Sequence, residues 1–147
     1  MLFVLIFALL GFSREFIFVN INSQLYSLYY HQHDFVLPNS LIFLSDIKYD
    51  SLYYIKYPLT VFYFLAYYFT SFFAVKFISN AEKKTLWVFY IYLILLVLSS
   101  ISISWGYFMN KQLDGYSYTF SRWLMGIAQS PLVAFFVIAS QKLHNKP

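Results

Sequence analysis

The chain has 147 residues, 61% apolar and 11% charged, with ten Lys and Arg against six Asp and Glu and a net charge of +4. A soluble domain is about 45–50% apolar and about 25% charged, so a globular fold of this size has no place for so much apolar surface, and lipid is the expected solvent. The lack of Cys excludes disulfides, thiolate catalysis and Cys-ligated metals, and the positive charge sits in small clusters at segment ends, which suits membrane orientation and not nucleic-acid binding.

The first apolar run, "MLFVLIFALLGF", is too short to cross a bilayer alone, and "SREFIFVNINSQ" follows it. A cleaved leader would need a basic stretch before the run and a small-x-small site after it, and neither is there. A single helix over residues 2–20 is expected instead, with Arg14 and Glu15 in its second half. At 1.5 Å per residue it reaches about 28 Å, enough to cross. On a wheel of 100° per residue Ala8, Gly11, Arg14, Glu15 and Phe18 share an arc of about 120°. That arc mixes small residues, which let helix backbones approach, with charges, which at membrane depth face a bundle interior or water. Arg14 can equally snorkel to headgroups and pair locally with Glu15.

The stretch from Asn20 to Tyr57 is the longest not expected to span. It includes "NINSQLYSLYYHQHDF" and "YDSLYYIKY", rich in Tyr and short of charge. Tyr suits the membrane–water boundary, so this segment is expected to lie along the outer interface. Asn20 and Asn22 at one end and Lys56 at the other are the candidate outward contacts. His31, His33 and Asp34 resemble a partial metal set, but a site needs a third or fourth ligand and a second layer of support. No metal and no cofactor are expected.

Three further spans follow, over 58–78, 86–108 and 118–140. Pro58 suits a first helical turn, where its missing N–H costs nothing. The links "SNAEKKT" and "MNKQLDGYS" are short, so neighbouring helices should run antiparallel. The second helix offers Thr60, Tyr63, Tyr67, Ser71 and Ala74 on one side. The third offers Ser99, Ser100, Ser102 and Ser104. In the fourth, Tyr118, Arg122, Gly126 and Gln129 span about 80°. Pro131 should kink that helix, and its missing N–H frees a carbonyl that Gln129 or Ser130 can satisfy. Glu15 and Arg122 both fall in the outer half of the layer, so they are a candidate pair. Arg14, Glu15, Arg122 and Gln129 are thus the candidate intramembrane contacts. No H-E-x-x-H, G-x-S-x-G or glycine-rich phosphate loop is present, so no catalytic residues are assigned.

The predicted class is all-α: an integral membrane four-helix bundle, one membrane domain over 1–147, with a Tyr-rich interfacial segment between the first two helices. Lys76, Lys83, Lys84, Lys142 and Lys146 fall on one side, which the positive-inside rule makes cytoplasmic together with both termini.

Three stretches carry a resemblance: "SREFIFVNINSQL", "LYYIKYPLT" entering the second helix, and "RWLMGIAQSPL" in the last. With the size and layout, they make the chain similar to the small exosortase F- or X-associated membrane proteins of Bacteroidetes. The resemblance implies a non-catalytic role in the cell inner membrane beside an exosortase-like enzyme, which processes C-terminal sorting signals. A small subunit of a transporter or other complex, and an unrecognised membrane-embedded enzyme, are the alternatives.

The topology is testable with single cysteines at Ser45, Asn80, Asp114 and Asn145 and an impermeant thiol reagent on intact cells. Positions 45 and 114 should label while 80 and 145 stay protected; the reverse pattern would overturn the orientation.

Overall fold

The computed structural model describes residues 1–31, 37–79, 82–110 and 115–144. Among them there is helix and no strand. The α-helices are α1 (Leu2–Tyr30), α2 (Tyr49–Ser79), α3 (Glu82–Asn110), α4 (Tyr116–Ala128) and α5 (Leu132–His144), and a 3₁₀ helix (Asn39–Leu44) lies between α1 and α2. α1, α2 and α3 are each long and apolar enough to cross a membrane. α4 and α5 reach that length and apolarity only when taken together, and they are bent by 61° to one another, as in a broken span or a re-entrant loop.

Two compact units divide the chain. One is Ala8–Tyr63; the other joins Met1–Phe7 to Phe64–Pro147. The first holds the whole of the segment expected to lie flat at the interface. Much of that segment instead prolongs the helices on either side: α1 runs ten residues past Asn20, and α2 begins nine residues before Pro58. The physical reason is a small apolar core. Ile17, Ile21, Leu25 and Leu28 recur at helical spacing and make one face of α1, although Asn20, Asn22, Ser23 and Gln24 interrupt the run. Leu52, Ile55 and Leu59 do the same on α2. Between them Leu37, Leu41 and Leu44 close the cluster, and Leu52 is fully buried in it. Leu41 and Leu44 lie three apart, the spacing that stacks side chains in a 3₁₀ helix. Pro38 caps this helix in an extended conformation, and Ile42 and Phe43 face out. Pro58 consequently sits inside α2 and not in its first turn, where it withholds an N–H from the ladder.

The tyrosines line the outside of this unit's helix ends. Tyr26 and Tyr30 have ring centroids 4.5 Å apart, Tyr29 reaches Tyr49 at 6.2 Å, and Tyr53 meets Tyr57 at 5.9 Å.

The second unit is organised by α3. Its buried or half-buried positions Val88, Tyr92, Leu95, Ser99, Ser102 and Gly106 alternate at spacings of four and three, the seam of a left-handed helix pair. Toward α2 the Tyr92 hydroxyl and Ser71 Oγ are 3.1 Å apart in the interior, and Phe64 and Tyr68 present edges to the Tyr92 ring. Toward α4, Ser99 Oγ hydrogen-bonds Ser121 Oγ, and Ser102 Oγ donates to the Ser117 carbonyl at 2.7 Å. The α3–α4 contact is more extensive than that of α5 with either helix. It closes on Gly106, where an added Cβ would stand 2.8 Å from Ser117 Cβ. From α1, Phe7 stacks on Tyr67 and approaches Phe135 of α5. The polar side foreseen for the second helix is interior: Tyr63, Tyr67, Ser71 and Ala74 are buried, each within its own unit.

The two glycines of this unit's helices give opposite expectations. Gly106→Ala forces backbone or Ser117 aside and should cost about 1–3 kcal/mol. Gly126 has nothing within 4 Å of an added Cβ, so Gly126→Ala should be neutral or gain up to about 1 kcal/mol of helix propensity. Thermal unfolding of both variants in detergent reads the difference; equal shifts would refute the close approach at Gly106.

Candidate functional site

The sequence nominates polar groups set into apolar helices, and the fold treats them in three ways. Hydroxyls are absorbed by neighbouring carbonyls or by each other. Ser13 Oγ donates to the Leu10 carbonyl at 3.1 Å and accepts from Tyr63 Oη at 3.1 Å. Thr60, Thr70, Ser100 and Ser140 donate to carbonyls one turn back in their own helices. Such bonds are the inexpensive way to carry a hydroxyl in lipid.

The second treatment is the break between α4 and α5. Pro131 has no N–H for the Ile127 carbonyl, four residues back. Ser130 Oγ supplies the missing donor at 2.7 Å, and the same oxygen accepts from the Leu132 N–H at 3.3 Å. One hydroxyl therefore ends α4 and accepts from the first N–H of α5, with Pro131 immediately before that helix and its carbonyl accepting from Phe135 N–H. The kink expected at Pro131 is thus a break that stops α4 at Ala128 and restarts at Leu132. Gln129 is buried at this corner and Gly126 half-buried. The buried side of α4 runs through Ser121, Leu124 and Ala128, so Arg122, one residue round the helix, is exposed. Its guanidinium lies 5.7 Å from the Tyr118 ring centroid.

The third treatment concerns the remaining charges and amides. Arg14 is half-buried with its guanidinium 5.7 Å from the Phe18 ring centroid, and Phe18 approaches Tyr63. Cation–π contact of this kind is stronger where water is scarce. Glu15 is exposed. It belongs to the unit Ala8–Tyr63, while Arg122 belongs to the other. Asn20 Nδ2 donates to the Phe16 carbonyl at 2.7 Å, so it serves its own helix, whereas Asn22 is exposed. Lys56 is half-buried with its ammonium 5.6 Å from the Tyr53 ring centroid. His31 ends α1 with φ of 53°, the left-handed conformation that commonly closes helices. His33 and Asp34 lie outside the described residues. Among the described residues no three His, Asp or Glu side chains converge.

No protein-family model, curated protein or solved structure matches this chain. What sequence reasoning left unassigned are Ser117 and Ser121 on α4, the partners of the serines already singled out on α3, and the second role of Ser130 as acceptor for the Leu132 N–H. The four-three spacing on α3 was the signal for the former, and the Ser-Pro dipeptide for the latter.

Ser130→Ala removes a donor and a cap together and should destabilise by about 1–2 kcal/mol. Pro131→Ala restores a backbone N–H to Ile127, so the double variant should lose less than Ser130→Ala alone. Thermal midpoints of the four proteins close the cycle; strict additivity would show that Ser130 does not substitute for the proline.

Proposed function

We propose that this protein is a non-catalytic, multi-pass accessory protein of the cell inner membrane and a partner of an exosortase-like processing enzyme. The observation that carries the reading is Glu15, an exposed carboxylate in an apolar helix long enough to span. Ionisable groups at that depth mark contacts or pathways. The three stretches that resemble exosortase-associated proteins name the kind of partner. The finer layout follows from the same reading: four crossings with α4–α5 as the broken last one, both termini cytoplasmic, and the tyrosine-lined helix ends in the outer headgroup layer, where sorting signals arrive.

The broken α4–α5 element favours a second reading, a small subunit of a transporter. Discontinuous helices with buried polar side chains are characteristic of transport sites, and Gln129 is buried at this break.

A C-terminal tag, gentle solubilisation and identification of co-purifying chains test the first reading, together with deletion of the gene. An exosortase-like enzyme should co-purify, and proteins bearing C-terminal sorting tails should accumulate unprocessed in the deletion strain. A chain that purifies alone, with tail processing intact, would overturn the proposal and move weight to transport.

A further inference from the structure

α1 is the least covered of the long apolar helices. Only 6% of its most apolar 18-residue window is buried, against 33% in α2 and 22% in α3. More than one line of it is bare: Leu2, Leu5, Leu9, Phe12, Phe16 and Val19 are exposed and wholly apolar. Ala8, Phe12, Glu15, Val19, Asn22 and Tyr26 are exposed too, at spacings of four, three, four, three and four, and this line carries the charge. That is the seam of a left-handed helix pair, the same pattern that α3 uses for its own buried contacts. A surface meant only for lipid would carry no charge at hydrocarbon depth. This one carries Glu15 there, with Asn22 at the edge of the layer.

Glu15 stands about 20 Å from the start of α1, inside a hydrocarbon layer about 30 Å thick. It makes no hydrogen bond or ion pair among the described residues. Asn22, seven residues on, is likewise without a hydrogen bond among them, and its amide both donates and accepts. Ala8 is small enough for a close helix crossing.

We infer that this seam docks an apolar membrane-spanning helix of a different chain that carries an Arg or Lys opposite Glu15. The inference rests on the accessory-partner reading above and names the chemistry of that partner. Charge complementarity sets the choice of occupant. A second copy, paired in parallel through the same seam, would bring Glu15 against Glu15. Arg14 is one position off the seam, half-buried beside Phe18, and does not offset that repulsion.

The test is site-specific photo-crosslinking of the full chain in its native membrane, with p-benzoylphenylalanine at Phe12 or Val19 and, as control, at Ile94 on the exposed side of α3. Phe12 and Val19 should give one adduct, whose cross-linked peptide is an apolar segment of another protein containing Arg or Lys; Ile94 should not give it. Glu15→Arg should cut the adduct at least tenfold, and reversing the partner's cation to Glu should restore it. If Glu15→Arg lowers the amount of chain in the membrane, Glu15→Gln is read instead, with a severalfold loss expected. An adduct of twice the chain's mass would assign the seam to a second copy and overturn the inference. So would cross-linking to lipid alone, or an adduct indifferent to Glu15. A partner that co-purifies with the tagged chain but leaves no adduct from α1 would remove this seam and keep the accessory reading; loss of both would remove both.

Discussion

Where Ser99 meets Ser121 and Gly106 lies under Ser117, two helix backbones come close enough for hydroxyls to bridge them. In lipid no hydrophobic force drives helices together, because the solvent is as apolar as they are. What holds them is close packing and hydrogen bonds, and both need small side chains at the contact. α4 has 13 residues, roughly 20 Å, too short to cross a layer of about 30 Å alone. Its position depends on the contact with α3, and the position of the break and of α5 depends on α4. A single methyl group at Gly106 acts on all of them at once.

Polar groups in this chain are graded by the cost of leaving them unsatisfied. Hydroxyls are placed freely, since a carbonyl one turn back always accepts them. Ser130 is the most economical case, repairing the gap left by a proline and capping the next helix with one oxygen. Guanidinium groups lie over aromatic faces, Arg14 over Phe18 and Arg122 over Tyr118. In a chain with 18 Phe and 15 Tyr, such faces are the commonest available counterpart for a cation. The same ring face repels a carboxylate. The abundance of aromatic faces therefore serves the cations of this protein and not Glu15, for which no ion pair is seen among the described residues.

The apolar runs made the helical, membrane-suited class readable, because length and composition alone define a span. The polar side of α2 was readable too, since Tyr63, Tyr67 and Ser71 recur at helical spacing. Helix ends were not. Residues 20–30 and 49–57 look interfacial by composition, and only the Ile and Leu positions among them, read against Leu37, Leu41 and Leu44, reveal a core. That core is made by residues far apart in sequence, which no local pattern displays. On α4 the wheel grouped Arg122 with Gln129, yet the buried side is centred on Ser121 and Leu124. The most polar residue is the natural guess for an interior contact, but a small one is what a close helix pair selects. Glu15 was legible as an anomaly; that its side of α1 forms a continuous seam required knowing which residues are exposed.

The elbow between α4 and α5 has a mechanical meaning. With a bend of 61° between α4 and α5, the corner stands roughly 10 Å off the line joining their ends, about one helix diameter. α3, unbroken over Glu82–Asn110, packs more extensively on α4 than on α5. The spacing of α3 from the bent pair therefore differs between the corner and the outer ends of α4 and α5. If the bent pair crosses the membrane as the proposed fourth span, a thicker bilayer pulls its ends apart along the normal and flattens the elbow, and a thinner one closes it. On that reading bilayer thickness acts as a load on Ser130 and Pro131, and the hydroxyl that caps α5 is the joint on which that load falls.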